Sequence, residues 1–183
     1  PASAPVSGTA SARLPQVGEW SALAPPGWRV RGTLAADATL SGTRGAPEWR
    51  GNLQADDLAV RSVVDGFFFS GGQLRATLAG ERVTIERFSL NGPRGAEVGG
   101  TLTATGTADW RRVEGSALRQ PFINLTLNAN RLRVASRADR RLTISGEVNA
   151  ALAGPQLQLR GRLKADSALF VLPDETTPSL SSD

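Results

Sequence analysis

The chain has 183 residues, 40% of them hydrophobic and only 5% aromatic, and its net charge is +4. It contains no Cys, no His and no Tyr, so a disulfide, a Cys–His pair, a Ser-His-Asp triad and a zinc site are excluded. The positive charge comes from scattered arginines that are not interleaved with aromatics, and Lys164 is the only lysine. We therefore expect solvated arginines on loops and outer faces, and neither an enzyme nor a nucleic-acid-binding protein.

The beginning of the chain is rich in Ala, Ser and Pro. We expect residues 1–27 to form a linker-like lead, with at most a short helix near Val17–Ala24 that the following prolines would end. The chain begins at Pro1 and contains no Met, which suggests a segment of a longer protein.

No apolar stretch approaches the roughly 18 residues that a membrane span requires, so any anchor is expected outside this chain. The remaining sequence divides in two. Residues 28–173 are expected to form a single elongated β domain, and residues 174–183 a terminal tail.

From Trp28 onward, apolar or small residues occupy every second position, beginning with Trp28, Val30, Gly32, Leu34, Ala36, Ala38 and Leu40. This period of two places alternate side chains on opposite faces of a β-strand. The pattern returns at 74–78, 83–85, 96–110, 123–129, 142–152 and 157–165. We therefore predict an all-β fold made of long strands.

The alternation changes phase at two places, Asp56-Asp57 and Asn130-Arg131. An extra residue at either place would produce a β-bulge or a turn, because it shifts the side chains that follow to the other face. Asn91-Gly92-Pro93 and Gly154-Pro155 are typical of turns between strands.

A phrase of the form Gly-x-Leu/Val-x-Ala occurs six times and indicates stacked hairpin units. We predict that its central residues face the same apolar interior, since each lies between a Gly and an Ala on one face. These residues are Leu34, Leu53, Leu74, Leu102, Val148 and Leu163.

Phe67-Phe68-Phe69 is the densest aromatic group, and on a strand Phe67 and Phe69 would share one face. They are either an anchor of the core at a sheet edge or an apolar lip that contacts lipid or a partner. Asp56 and Asp57 are adjacent on a strand and face opposite ways, so they cannot act as an acid/base pair. No catalytic residue, metal site or cofactor is expected.

One-sided strands fit a sandwich, a barrel or a folded-over sheet equally well. Their length, their many small residues and the scarcity of aromatics favour an elongated apolar interior that suits acyl chains. The residues predicted to line it are Trp28, Val30, Leu34, Leu40, Leu53, Leu74, Leu78, Val83, Ile85, Val98, Leu102, Ile123, Leu125, Leu127, Leu142, Ile144, Val148, Leu157, Leu159 and Leu163.

In addition to the repeated phrase, three sequence strings point to a family: 55–60 (ADDLAV), 140–146 (RRLTISG) and 168–174 (ALFVLPD), the last followed by Pro178-Ser179-Leu180. With them, the chain from about Trp28 to Leu180 resembles the C-terminal region of the TamB family, within the AsmA-like lipid-transport superfamily. The resemblance implies a β-taco, a long curved antiparallel or mixed sheet folded into a half-pipe with an apolar groove. It implies no catalytic residues.

The resemblance also implies a periplasmic location, with the full-length protein anchored in the inner membrane by a segment outside this chain. The implied partners are phospholipid and the outer-membrane barrel TamA. Two functions remain open from the sequence. One is shielding of acyl chains during phospholipid transport between the two membranes, linked to outer-membrane protein assembly. The other is a structural or chaperone-like scaffold whose edge pairs with client β-strands.

Overall fold

The computed structural model describes residues 2–16, 26–112 and 119–171, and within them the chain forms one antiparallel sheet. Each strand pairs only with the strands before and after it in sequence. The strands of the described residues are β1 (Gly8–Leu14), β2 (Trp28–Thr43), β3 (Ala46–Ser62), β4 (Phe67–Ala79), β5 (Arg82–Asn91), β6 (Thr101–Arg112), β7 (Arg119–Ser136), β8 (Arg140–Ala153) and β9 (Gln156–Phe170), with one short helix, α1 (Ala96–Gly99).

The all-β prediction is confirmed, and every strand pairing in the described sheet is antiparallel. The sheet is not closed, since β1 and β9 lie at its two edges. Its strands are long: β7 has 18 residues and would extend about 60 Å. The predicted turns at Asn91-Gly92-Pro93 and Gly154-Pro155 are also confirmed.

Both predicted phase slips are β-bulges within continuous strands. The register shifts after Ala55 on β3 and after Ala129 on β7, and the extra residues Asp57 and Arg131 have φ angles of 53° and 45°. The amide of Arg131 donates a hydrogen bond to the Ser145 hydroxyl at 2.8 Å. Each bulge absorbs one residue, so the apolar side chains before and after it stay on the same face.

The expectation that the lead segment is loop-like was wrong, because Gly8–Leu14 forms β1 and pairs with β2 along its whole length. Small side chains alternate with polar ones here, and small residues give a weak sequence signal for a strand. The helix expected at Val17–Ala24 and the tail expected at 174–183 lie outside the described residues.

The continuous strand expected across 96–110 was also wrong at its beginning. Residues 96–99 form α1, and β6 begins only at Thr101. The turn before β6 is compact: the Gly92 amide donates to the Gly100 carbonyl at 2.9 Å, and a Cβ on Gly99 would overlap the Pro93 carbonyl. Val98 therefore lies on α1, with 51% of its surface exposed, and not on a strand.

Two strands that are not neighbours in the sheet, β4 and β7, contact each other at one end. There the turn between β3 and β4 meets the end of β7, beyond the shorter β5 and β6. The Ser136 amide donates to the Gly66 carbonyl at 2.8 Å, and Arg137 Nη1 donates to the Val64 carbonyl at 2.9 Å. We call this the Val64 end of the sheet.

Candidate lipid-binding face

The pairing register builds one face of the sheet almost entirely from apolar residues and glycine. Residues directly opposite each other on antiparallel strands share a face, so the register can be followed from β1 to β9. One such row consists of Leu14, Leu34, Ala55, Leu74, Phe88, Ala104, Leu127, Val148 and Gly161. We call this surface the apolar face.

Two further rows run beside the first. One consists of Ala12, Ala36, Leu53, Ala76, Ile85, Gly106, Leu125, Ala150 and Leu159. The other consists of Ala10, Ala38, Gly51, Leu78, Val83, Ala108, Ile123, Leu152 and Leu157. None of the three rows is interrupted by a polar or charged side chain, so the apolar face is continuous across all the described strands.

The register confirms that the central residues of the repeated phrase share one face. Leu34, Leu74 and Val148 lie in the first row and Leu53 in the second. Leu102 lies opposite Ala129 and Leu163 opposite Gly146, both on the same face. Each phrase therefore contributes one large side chain to a common surface.

Most of the predicted lining residues lie in the three rows. Alternation along β2, β6, β8 and β9 places the others on the apolar face as well: Trp28, Val30, Leu40, Leu102, Leu142, Ile144 and Leu163. Val98 is the exception, because it lies on α1. That these residues hold lipid stays a prediction.

The sequence analysis missed three large residues that lie on the apolar face: Phe88, Leu90 and Leu132. Leu90 and Leu132 are 7% and 3% exposed. The register shifts between Ile85 and Phe88, so the alternation changes phase within β5 at a point that the sequence analysis did not recognise. The signal that could have found Phe88 and Leu90 is their own alternation immediately after the charged pair Glu86-Arg87.

The opposite face of the sheet is polar. A row directly beside the apolar ones consists of Ser11, Asp37, Asn52, Thr77, Thr84, Thr107, Asn124, Ala151 and Gln158. The described sheet is therefore amphipathic from edge to edge: one face favours an apolar environment and the other favours water.

An aromatic cluster lies on the apolar face at the Val64 end. The Trp28 and Phe67 rings meet edge to face at 4.6 Å, and the Phe67 and Phe69 rings stack at 5.6 Å. The predicted shared face of Phe67 and Phe69 is thus confirmed. Trp28 Nε1 donates to Asp65 at 3.0 Å, and the Ser62 hydroxyl donates to the same carboxylate at 2.7 Å. These bonds fix the cluster against the turn that follows β3.

Several charged groups of the described residues pair with one another. Arg82 and Arg111 donate to Asp109 at 2.7 and 3.1 Å, and the Arg82 hydrogen bond lowers the pKa of this carboxyl. The Arg111 guanidinium also lies over the Phe122 ring, 5.2 Å from its centroid. This cluster joins β5, β6 and β7 on the polar face. Asp56, beside its bulge, pairs with Arg75 at 2.7 Å.

No group of three or more His, Cys, Asp or Glu residues that could hold a metal ion occurs in the described parts of the chain. Among those same residues, no helix is long and apolar enough to cross a membrane. The edge strand β9 is exposed along its whole length. Its apolar residues Leu157, Leu159 and Leu163 are 62%, 64% and 56% exposed, so the apolar face remains uncovered at this edge.

A single antiparallel sheet with one continuous apolar face and one polar face defines an amphipathic β-sheet protein. Residues 94–183 match the family model of the TamB C-terminal domain, so this part of the chain belongs to the TamB family. No curated protein and no solved structure matches the chain. The family match begins at residue 94, which leaves the resemblance from Trp28 to residue 93 as a prediction.

The TamB family is a transport and assembly family of the cell envelope and not an enzyme family. It is associated with outer-membrane biogenesis and, in general, with the partner TamA. In the described chain the matched region holds α1 and the strands from β6 to β9. The apolar face continues from this region into the strands that precede it.

Proposed function

We propose that the apolar face holds the acyl chains of phospholipids, and that the chain is a segment of a periplasmic protein that carries phospholipid between the inner and outer membranes. The observation that carries this proposal is the three apolar rows that cross the described sheet without a polar interruption. Eight strand-to-strand steps of about 4.8 Å give an apolar path of about 38 Å. Each methylene group that leaves water along this path contributes about 0.8 kcal/mol.

The sheet would curve around its ligand as a β-taco, with the phospholipid head groups at the open edges. Glycines support this curvature. Gly106 and Gly146 have φ angles of 159° and 139°, and a Cβ at either would overlap a carbonyl oxygen of the neighbouring strand. A glycine inside a strand lets the backbone bend or approach closely where other residues cannot. The many alanines of the apolar rows leave room beside the larger side chains.

The envelope context supports the same proposal. The TamB family acts in outer-membrane biogenesis, and transport in the periplasm requires that acyl chains be shielded from water. The full-length protein would be anchored in the inner membrane by a segment outside this chain and would work with TamA at the outer membrane. Support of outer-membrane protein assembly would follow from the supply of lipid.

Native mass spectrometry of the purified chain tests the proposal. We expect co-purified phospholipid with the wild type and its loss in Leu159→Asp, because a carboxylate on the apolar face disfavours acyl chains. Leu159 is 64% exposed, so this substitution should leave the sheet folded. Gln158→Asp is the matched control, since it places the same carboxylate on the polar face of the same strand. Wild-type lipid levels in Leu159→Asp would contradict the proposal.

The edge strand supports a second candidate function, a scaffold that pairs with client β-strands. β9 has 15 residues, all of them exposed, and a long exposed edge is a template for another strand. Hydrogen exchange separates the two functions. A client strand would protect the β9 amides, and Leu159→Asp would not abolish that protection, whereas bound lipid would leave the outward-facing amides of β9 exchanging freely.

A further inference from the structure

Three segments that are distant in sequence form one exposed surface at the Val64 end. The turn with Val63 and Val64 is held to the β7–β8 turn by the hydrogen bonds of Gly66 and Val64 described above. The β7–β8 turn also holds the end of β9, because the Val171 amide donates to the Asp139 carbonyl at 2.8 Å. Val63, Val64, Phe170 and Val171 are between 57% and 68% exposed. The apolar side chains therefore protrude together from hydrogen-bonded turns.

Basic residues accompany these apolar side chains on the neighbouring stretches of chain. Residues 61–66, 137–141 and 168–171 contain four arginines and two aspartates, which gives the surface a net charge of +2. Arg61, Arg140 and Arg141 are exposed, and Arg140 also lies 3.6 Å from the Asp139 carboxylate. Arg137 is bound to the same carboxylate at 3.0 Å and to the turn carbonyl of Val64. Exposed apolar residues among cations are typical of surfaces that bind anionic lipid bilayers.

This surface is continuous with the apolar face. Ser62 lies directly opposite both Trp28 and Phe67 in the sheet, so the aromatic cluster begins one residue before Val63. Val60, opposite Val30 and Phe69, extends the cluster toward the middle of the sheet. An acyl chain that leaves a bilayer at the Val64 end would therefore meet mainly apolar side chains on its way to the three rows, with Ser62 as the polar exception.

We infer that the Val64 end docks on the surface of a bilayer that contains anionic phospholipid. The side chains of Val63, Val64 and Phe170 enter the interface, and Arg61, Arg140 and Arg141 contact phosphates. A bilayer suits this surface better than a protein does, because protruding apolar tips need complementary pockets in a protein but only a soft interface in a membrane. The delivery of an acyl chain to the apolar face rests on the proposed function; the docking does not.

Vesicle flotation tests the docking. We expect the full chain to float with vesicles of phosphatidylethanolamine and phosphatidylglycerol, and the double substitution Val63→Ser, Val64→Ser to lower the bound fraction about tenfold. Val64→Leu is the matched control and should bind at least as well as the wild type. Both valines are exposed, so neither variant should unfold. Equal binding of the wild type and the double variant, or no binding by the wild type, would overturn the inference.

The arginines are tested in the same assay. Arg140→Gln and Arg141→Gln should each weaken binding to the anionic vesicles roughly fivefold and reduce its sensitivity to salt. Arg50→Gln, an exposed cation at the opposite end of the sheet, should have no effect. Losses of the same size for Arg50→Gln would show that net charge, and not this surface, governs binding, and the inference would fail.

A soluble short-chain phospholipid distinguishes docking from acyl-chain holding. The variant Val63→Ser, Val64→Ser should bind this monomeric lipid normally and yet lose vesicles, whereas Leu159→Asp should lose the monomer and keep vesicles. If Leu159→Asp lost vesicle binding while the variant Val63→Ser, Val64→Ser kept it, the docking inference would be contradicted and the proposed function would stand. Normal monomer binding by Leu159→Asp would contradict the proposed function and leave docking intact.

Discussion

Leu102 of β6 lies directly opposite Leu90 of β5 on the apolar face, and Leu90 is one of the few large side chains that the single sheet buries. A carboxylate at position 102 would therefore meet an apolar neighbour. We expect Leu102→Asp to lower the free energy of unfolding by about 1–3 kcal/mol, while Leu102→Met stays within about 1.5 kcal/mol of wild type. Urea denaturation measures both. A loss well above this range would indicate a closed core and not an open apolar face.

Gly146 should be far less tolerant of substitution than Gly80. Both have positive φ angles, 139° and 61°, but only at Gly146 does a Cβ overlap backbone, the Arg162 carbonyl. Gly80→Ala should cost about 1 kcal/mol from backbone strain alone. Gly146→Ala should cost about 3 kcal/mol or more, because the strands must also move apart. Equal losses in urea denaturation would contradict this reading of the β8–β9 pairing.

The ion cluster around Asp109 should make stability fall in acid. The hydrogen bond from Arg82 lowers the pKa of this carboxyl in the folded chain. A lowered pKa means that the stabilisation is complete above the unfolded-state pKa of about 3.9 and is lost as the pH falls through the folded-state value. Asp109→Asn should therefore be less stable than wild type at neutral pH and show a weaker dependence on pH in acid. Asp37→Asn, at an exposed position on the polar face of β2, is the control and should keep the wild-type stability at neutral pH.

Much of the sheet is predictable from sequence because strand alternation is local. The bulges at Asp57 and Arg131 could be predicted, because without the extra residue the apolar side chains that follow each slip would face solvent. β1 could not, because alternating Ala and Ser or Thr differ too little in hydrophobicity. Its assignment depends on pairing with β2, which places Leu14 opposite Leu34.

The Val64 end could not be predicted either. The contact of Ser136 with Gly66 depends on β5 and β6 being shorter than the strands that flank them, and α1 decides where β6 begins. The lengths of β5 and β6 cannot be read from the alternation, because the alternating pattern continues through Val98, where the strand does not. The membership of the apolar face was easier, because the repeated phrase fixes one large residue on each of six strands independently of the strand ends.

The cations of β9 should limit self-association. Arg160, Arg162 and Lys164 lie on the polar face of this edge, so two copies pairing edge to edge in antiparallel fashion about Arg162 would bring like charges together. Replacing all three with Thr should promote dimers or larger species in sedimentation velocity runs. Replacing Arg29 and Arg31 of the interior strand β2 with Thr should not. A monomeric β9 variant would show that the charges do not protect the edge.

The unbroken order of the strands, each beside its predecessor in sequence, has a consequence for how such a sheet can be made. A chain that crosses a membrane through a narrow channel emerges from one end, and most β folds must then wait for strands that arrive much later. Here every new strand finds its partner already in place. The sheet can therefore grow one hairpin at a time as the polypeptide emerges, and the backbone hydrogen bond from Ser136 to Gly66 later joins the end of β7 to a turn that formed before β4.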